Sequence, residues 1–399
     1  MKIFVLFGST GDLATRYVLP ALGVLLQKWS YDHLICVGRR DWSRDDFRNF
    51  LAPYSDLLNA TEKIAYVRID IEKGDFLPLK EEISSQLKTK NQELTTSELT
   101  YHLCLSPEYF VPVARGLASI GLNTPESRIM IEKPFGHDLK TAIALNLELQ
   151  HIFSEDQIYR VDHYLGKNYV REMIEYRLSQ GDNWYTERIS EIHILSREAI
   201  TLENRGAYFD KNGETRDKLQ NHLLQILAFA TMLTPNSLDH HDIRDRIFQA
   251  ISSVAPLLLD PRHDIVIGQY AGYRDIEGVA SDSRTETYIR TRLAIDNPEW
   301  MDTKIILETG KALDHKENSI TLLFRNGEKK IFAETEENKN NAYEVLIEKA
   351  LVRDPSYFVR WDSVRAGWQV VNDLLHCTDN CPILQIYDIG SNPTITLWK

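Results

Sequence analysis

Short apolar runs and amphipathic stretches alternate through the first 160 or so residues. KIFVLF, LICVG, IAYVRI, LTYHLCL, RIMIE and IYRV read as strands apolar on both faces. VLPALGVLLQKW, DDFRNFLAPYSDLL, PEYFVPVARGLASIG and TAIALNLELQHIF carry helical spacing between them. Such alternation predicts an α/β domain over residues 1–165 with a Rossmann-like parallel sheet covered on both faces. Beyond about residue 165 the rhythm changes. YVREMIEYRL and DKLQNHLLQILAFATML predict longer helices, and TETYIRTRLAID, TKIILE and SITLLFR alternate as strands do when one face is more polar. Residues 166–399 therefore read as an α+β domain with a mostly antiparallel sheet, closed by helices at AYEVLIEKAL and SVRAGWQVVNDLL. The charged, apolar-free run ETEENKNN is expected to be an exposed loop.

Composition narrows the class. Of the 399 residues 43% are hydrophobic and 26% charged, which excludes a disordered or collagen-like chain. A formal charge of −12 disfavours nucleic acid or an anionic membrane surface as partner, because both are polyanions. Cys36, Cys104, Cys377 and Cys381 are dispersed rather than framework-like, so a reducing, cytoplasmic setting is expected. His376 beside Cys377 and Cys381 invites a metal reading, but the spacing is not C-x-x-C and no second ligand pair exists, so no metal is expected. No signal-type or membrane-length apolar run is seen.

KIFVLF opens into Gly8-Ser9-Thr10-Gly11-Asp12-Leu13 and then a helix. This keeps the last two glycines of G-x-G-x-x-G, with Leu6 in place of the first. The glycines would let backbone approach a pyrophosphate at a helix N-terminus, where free N–H groups favour anions. After the second strand, where an NAD site carries Asp or Glu, stands Gly38-Arg39-Arg40. Arg39 suits the 2′-phosphate of NADP, with NAD as the alternative coenzyme.

Two segments gather polar groups beyond what a fold needs. Asp162, His163, Tyr164 and Lys167 fall within six residues of IYRVDHYLGK. They supply one carboxylate and three groups able to hold phosphoryl oxygens. The second segment, RDKLQNHLL, carries Asp217 and His222. On an α-helix residues five apart point roughly 140° apart, so these two would line one pocket from two sides.

With FGSTGDLATR, IEKPFGHDL, IYRVDHYLGK, RGAYFDKNGETRDKLQNHLLQ and SRTETYIRTRLAIDN together, the chain resembles the glucose-6-phosphate dehydrogenase family over nearly its whole length. The resemblance implies oxidation of glucose 6-phosphate at C1 to the 6-phosphoglucono-lactone, with hydride passing to NADP, the first step of the pentose phosphate pathway. It implies His222 as general base and Asp162 as the carboxylate that orients it. It also implies His163, Tyr164 and Lys167 at the substrate phosphate, Lys133 between coenzyme and substrate, Glu198 and Asp217 at the sugar hydroxyls, and Lys311 and Lys316 as two cations closing the substrate site. A homodimer is one assembly it allows.

The chain departs from the family pattern in places. Thr15 and Tyr17 stand where lysines are usual beside the coenzyme phosphates, Ser106 replaces the first of two prolines, and Glu308 replaces an arginine. A block of sheet strands is skipped after SITLLFR, so the second domain's sheet is expected to be short. Two alternatives follow: the same chemistry on a different sugar phosphate, suggested by Glu308 and the short sheet, or an idle paralogue that binds sugar phosphate or NADP. Retention of Asp162, His163, Lys167, Asp217 and His222 argues against the second.

Overall fold

The computed structural model describes residues 1–28, 30–184, 188–202, 205–256, 264–380 and 384–393. Cys381 and the side chain of Cys377, with the metal reading attached to them, lie outside that description. The chain divides into two compact units. One takes Met1–Gly136, Lys140–Gly166 and Asn341–Trp361, and the other takes His137–Leu139, Lys167–Asn340 and Asp362–Lys399. A single break near residue 165 does not anticipate the return of residues 341–361 to the first unit.

The first unit is built on six strands: β1 (Lys2–Phe7), β2 (His33–Gly38), β3 (Ile64–Arg68), β4 (Glu98–Leu103), β5 (Ser127–Ile131) and β6 (Ile158–Arg160). Their order is β3-β2-β1-β4-β5-β6, all parallel. Consecutive residues Ile3, Phe4, Val5, Leu6 and Phe7 are all fully buried, as a strand covered on both faces requires. Phe4, Leu6 and Leu34 share one apolar cluster with Leu19 and Leu22 of helix Leu19–Gln27 and with Leu346 and Ile347 of the returning helix Ala342–Leu351. Helix Leu77–Thr89, whose leucines and isoleucine are diluted by charged positions, escapes the apolar-run reading. Its buried stripe is Leu79, Ile83 and Leu87, at the i, i+4 spacing of a surface helix.

Among the described residues the second unit holds a mixed sheet of eight strands: β7 (Ile189–Arg197), β8 (Val254–Pro256), β9 (Ile265–Tyr270), β10 (Tyr288–Ile295), β11 (Lys304–Gly310), β12 (Glu317–Phe324), β13 (Lys329–Ala333) and β14 (Gln385–Tyr387). The path is β13-β12-β7-β11-β10-β9-β14, with β8 on β10. Only the β7–β11 and β9–β14 pairs are parallel among these pairings, so the sheet is mostly antiparallel. None of the described helices is long and apolar enough to cross a membrane.

One local expectation is corrected and another refined. The helix over DKLQNHLLQILAFATML is π-helical from Thr215 to Leu223 and α-helical only from Leu224 to Thr231. Bonds from i to i+5 wind more residues into each turn than an α-helix does, so Asp217 and His222 lie nearer one face than the roughly 140° separation of an α-helix. The run ETEENKNN is the expected loop, exposed at its centre and tied to the fold at both ends. Glu334 accepts from Asn318 Nδ2 at 2.8 Å, and Asn341 caps helix Ala342–Leu351 by accepting from Tyr343 N at 3.1 Å.

Candidate active site

In the first unit the turn after β1 is set by Gly8, whose φ of +69° favours glycine and whose added Cβ would lie 2.2 Å from Cys104 O. Gly11 N donates to Gly8 O at 2.9 Å, closing the turn. Beside it lies a cavity of about 500 Å³ lined by Gly8, Thr10, Gly11, Arg39, Asp70 and Tyr109, among others. It sits at the C-terminal ends of β1, β2 and β4, where the strand order reverses, which is where open α/β sheets bind ligands. The residues present fit a dinucleotide: backbone bare of side chains at Gly8 and Gly11, and a guanidinium, Arg39, on the wall. Glu72 faces the same space and accepts from Tyr109 OH at 3.1 Å, while Asp70 is paired with Lys73 at 3.5 Å.

Three of the residues expected at the coenzyme stand otherwise. Ser9 is fully buried and its hydroxyl donates to Val37 O at 3.1 Å, so it holds the turn against β2. Leu13 packs on the apolar core. Asp12 is exposed at the helix start and pairs with Arg16 at 3.4 Å.

Lys133 is half-buried after β5. Asp162 is buried, and its Oδ1 accepts from Tyr164 N at 3.0 Å, closing the turn that presents His163. Tyr164 is buried and packs edge-on to His163 with ring centres 5.0 Å apart. Gly166 ends this turn, and a Cβ there would meet Ala342 O at 2.4 Å. That glycine of DHYLGK is therefore required by the returning helix.

In the second unit, parallel pairing sets Arg197 opposite Gly310, so the residues that follow, Glu198 and Lys311, leave the sheet together. Lys311 Nζ contacts Glu198 Oε2, lies 3.3 Å from Glu214 Oε1, and is nearly sealed from solvent. Lys218 lies 3.1 Å from Glu198 Oε1 and donates to Ser196 Oγ at 3.2 Å. Ser196 donates to Asn318 Oδ1 at 2.8 Å, and Asn318 Nδ2 donates to Glu334. Glu334 in turn pairs with Lys167 at 3.2 Å and Lys316 at 3.4 Å. One continuous polar network thus joins Lys311 to Lys167. Asp217 and His222 stand on the neighbouring π-helical turn, half-buried and buried respectively.

Burial alone would raise Glu198, but Lys218 and Lys311 outweigh it and hold the carboxyl well below its usual range. Burial raises Glu214 against the pull of the same two lysines. Lys311 is raised: burial opposes its charge, and Glu214 and Glu198 outweigh burial. Lys311 and Lys316, expected as a pair, have different partners, the one buried on Glu198 and Glu214, the other largely exposed and paired with Glu334. Lys218, Glu214, Ser196, Asn318 and Glu334 were not among the expected site residues. The only local signal for Glu214 and Lys218 is charge inside a helix that otherwise buries itself.

Glu308 lies on the other face of the sheet. In β11 it alternates with Thr309, whose hydroxyl donates to Glu214 Oε2 at 2.7 Å. Glu308 instead meets Arg197 at 2.6 Å, His193 at 3.4 Å and Arg290 at 3.5 Å. It therefore offers no support for a changed sugar specificity.

Sheet order, switch-point cavity and glycine turn define the first unit as a dinucleotide-binding Rossmann-type unit, joined in the chain to a sheet whose end carries a buried lysine–carboxylate network. The family model described as "Glucose-6-phosphate dehydrogenase, NAD binding domain" matches residues 5–172, and the one described as "Glucose-6-phosphate dehydrogenase, C-terminal domain" matches 180–341 and 333–396. The chain belongs to the glucose-6-phosphate dehydrogenase family. It is 33% identical to "Glucose-6-phosphate 1-dehydrogenase 1" of Mycobacterium tuberculosis (strain CDC 1551 / Oshkosh), covering 98% of this chain and 92% of that one. The enzyme of Bacillus subtilis (strain 168) is 30% identical over 93% of this chain and 90% of its own. A solved glucose-6-phosphate dehydrogenase in complex with its substrate glucose-6-phosphate superimposes with a TM-score of 0.87 at 27% identity, covering 100% of this chain and 96% of that one.

Proposed function

We propose that the protein oxidises glucose 6-phosphate at C1, yielding the lactone and NADPH, in the cytoplasm. The observation that carries this reading is the network in which Glu198 is held ionised between Lys218 and Lys311 and wired through Ser196, Asn318 and Glu334 to Lys167. It offers a fixed carboxylate for sugar hydroxyls and cations for a phosphate within one unit. His222 takes the proton of the C1 hydroxyl as general base, and Asp162 orients its imidazole and stabilises the cationic form. Asp217, on the face of the π-turn that carries His222, joins Glu198 at the sugar hydroxyls. His163, Tyr164 and Lys167 hold the phosphate, and Lys133 lies between sugar and coenzyme. When bound, a nicotinamide coenzyme accepts the hydride that leaves C1.

Gly8, Thr10 and Gly11 line the cavity proposed for the coenzyme pyrophosphate, and Arg39 on its wall favours NADP over NAD. NADPH absorbance, followed over a panel of hexose and pentose phosphates with both coenzymes, tests substrate and coenzyme together. Glucose 6-phosphate with NADP should give the highest kcat/KM. Preference for another sugar phosphate, or turnover of free glucose with comparable efficiency, overturns the substrate reading. Arg39→Ala should raise KM for NADP and leave that for NAD nearly unchanged, whereas equal effects would make Arg39 a surface residue.

A further inference from the structure

We infer that Tyr343, carried back to the first unit by the returning segment, is a positioning residue for both the Lys133 turn and His163. The inference rests on the roles proposed above for those two residues. Glu132, immediately before Lys133, is buried, and each oxygen of its carboxylate meets a different donor. Oε1 lies 2.8 Å from Nε2 of His102 on β4, and Oε2 accepts from Tyr343 OH at 3.2 Å. Among the described residues His102 Nδ1 is buried without a hydrogen-bond partner. An orphaned N–H there would be the costlier group, so the proton belongs on Nε2, where it is donated to Glu132. Burial pushes the Tyr343 phenol well above its ordinary value, and Glu132 adds to the rise, so the hydroxyl stays a donor.

The Tyr343 ring does the second half of the work. It stacks on His102 with ring centres 6.1 Å apart and on His163 at 6.3 Å with planes only 6° apart. The start of its helix is pinned: Asn341 accepts from Tyr343 N and donates to Tyr17 O at 2.8 Å, and Ala342 abuts Gly166. Hydroxyl and ring therefore serve different ends. The hydroxyl fixes the carboxylate next to Lys133, and the ring fixes the plane of His163.

The two functions separate in kinetics. Tyr343→Phe keeps the ring and leaves Glu132 Oε2 without its donor, so kcat should fall about tenfold with KM for glucose 6-phosphate little changed. Tyr343→Leu removes the ring as well and should also raise KM, and the calorimetric Kd for glucose 6-phosphate, about fivefold. Glu132→Gln should lower kcat as Tyr343→Phe does, and the double variant should lose little more than either alone. Rates are normalised to coenzyme sites titrated by fluorescence. A merely structural role would reduce the number of those sites and the melting temperature while leaving kcat per site and KM unchanged, and that result overturns the inference. So does additivity of Tyr343→Phe and Glu132→Gln. Should Tyr343→Leu fail to fold, the Phe and Gln variants still decide. Absence of turnover in the wild-type protein, with binding of glucose 6-phosphate still weakened by Tyr343→Leu, would instead overturn the proposed function and leave the positioning of His163 standing.

Discussion

The two faces of the β7–β11 strand pair each bury charge, and they do so in opposite ways. On one face Glu198, Glu214, Lys218 and Lys311 belong to a network that continues through Ser196 and Asn318 to the partly accessible Glu334, Lys167 and Lys316. On the other, Glu308 is sealed from solvent, with Arg197, Arg290 and His193 converging on its single carboxylate. A buried charge is tolerated only when paired, and both clusters meet that condition. The first spreads its pairing over many polar groups and reaches the surface, so a ligand can exchange places with a partner. The second centres on a carboxylate sealed from solvent, where no ligand can take a partner's place, so its part is to hold strands together. Substitutions on the first face should therefore cost activity, and on the second stability.

The sharpest test pairs His222 with Glu308. His222→Asn should lower turnover roughly 10²–10⁴-fold, the usual contribution of a positioned base, with coenzyme affinity nearly unchanged. Turnover within a few-fold of wild type would remove His222 from the chemistry. Glu308→Gln should do the reverse. Removing the buried carboxylate charge that Arg197, Arg290 and His193 share costs about 3–5 kcal/mol of stability, read by denaturant unfolding, while KM and kcat of the folded protein stay put. A change in KM for glucose 6-phosphate without loss of stability would mean that the two faces are not separate.

Acid unfolding sharpens the same contrast. Burial alone would raise Glu308, but the bond to His193 and the charge of Arg197 outweigh it and hold the carboxyl at about 2, against an ordinary value of 4.5. A carboxyl depressed on folding contributes its stability above the unfolded value and loses it as pH falls through the folded one. Its contribution should thus be complete above pH 4.5 and fade as pH falls from there toward 2, by about 3 kcal/mol in all. Glu198 is also held low, so the wild-type acid limb is shared, and the part due to Glu308 is the difference from Glu308→Gln. If both proteins lose stability in parallel over that window, Glu308 carries no such depression.

The parts of the molecule readable from its sequence are those whose physics is local. Strands β1 to β6 announce themselves because burial on both faces forces unbroken apolar runs, and the glycine turn because Gly8 must take a positive φ against Cys104. The DHYLGK segment is specific enough to mark a family, yet the reason for its Gly166 lies 176 positions on, at Ala342. Glu198 meets Lys311 only because β7 and β11 pair in parallel with Arg197 opposite Gly310, a register no local pattern encodes. The π-turn leaves no mark either. Its i to i+5 bonds use the same residues an α-helix would, so an angular reading of Asp217 and His222 inherits the wrong period. Glu334 hides in a polar run where composition says loop, and only its three partners, Asn318, Lys167 and Lys316, distinguish it from its solvated neighbours.

The smallest expected effect belongs to Lys316, where the active face meets solvent. Its side chain is more than half exposed, and it pairs with Glu334 at 3.4 Å. Surface pairs of this kind contribute about 0–1 kcal/mol, so Lys316→Ala should leave the unfolding midpoint almost where it was. Its effect on binding is set by screening, since an exposed cation near a phosphate dianion acts through water and weakens with salt. KM for glucose 6-phosphate should rise about threefold at low ionic strength and by less in high salt, with kcat unchanged. Lys167→Ala, at a lysine only 16% exposed on the same carboxylate, should raise KM more and keep most of its effect in salt. Equal salt dependence in the two variants would show that Lys167 and Lys316 meet the phosphate from equivalent positions, and the graded path from buried to open along this face would have to be given up.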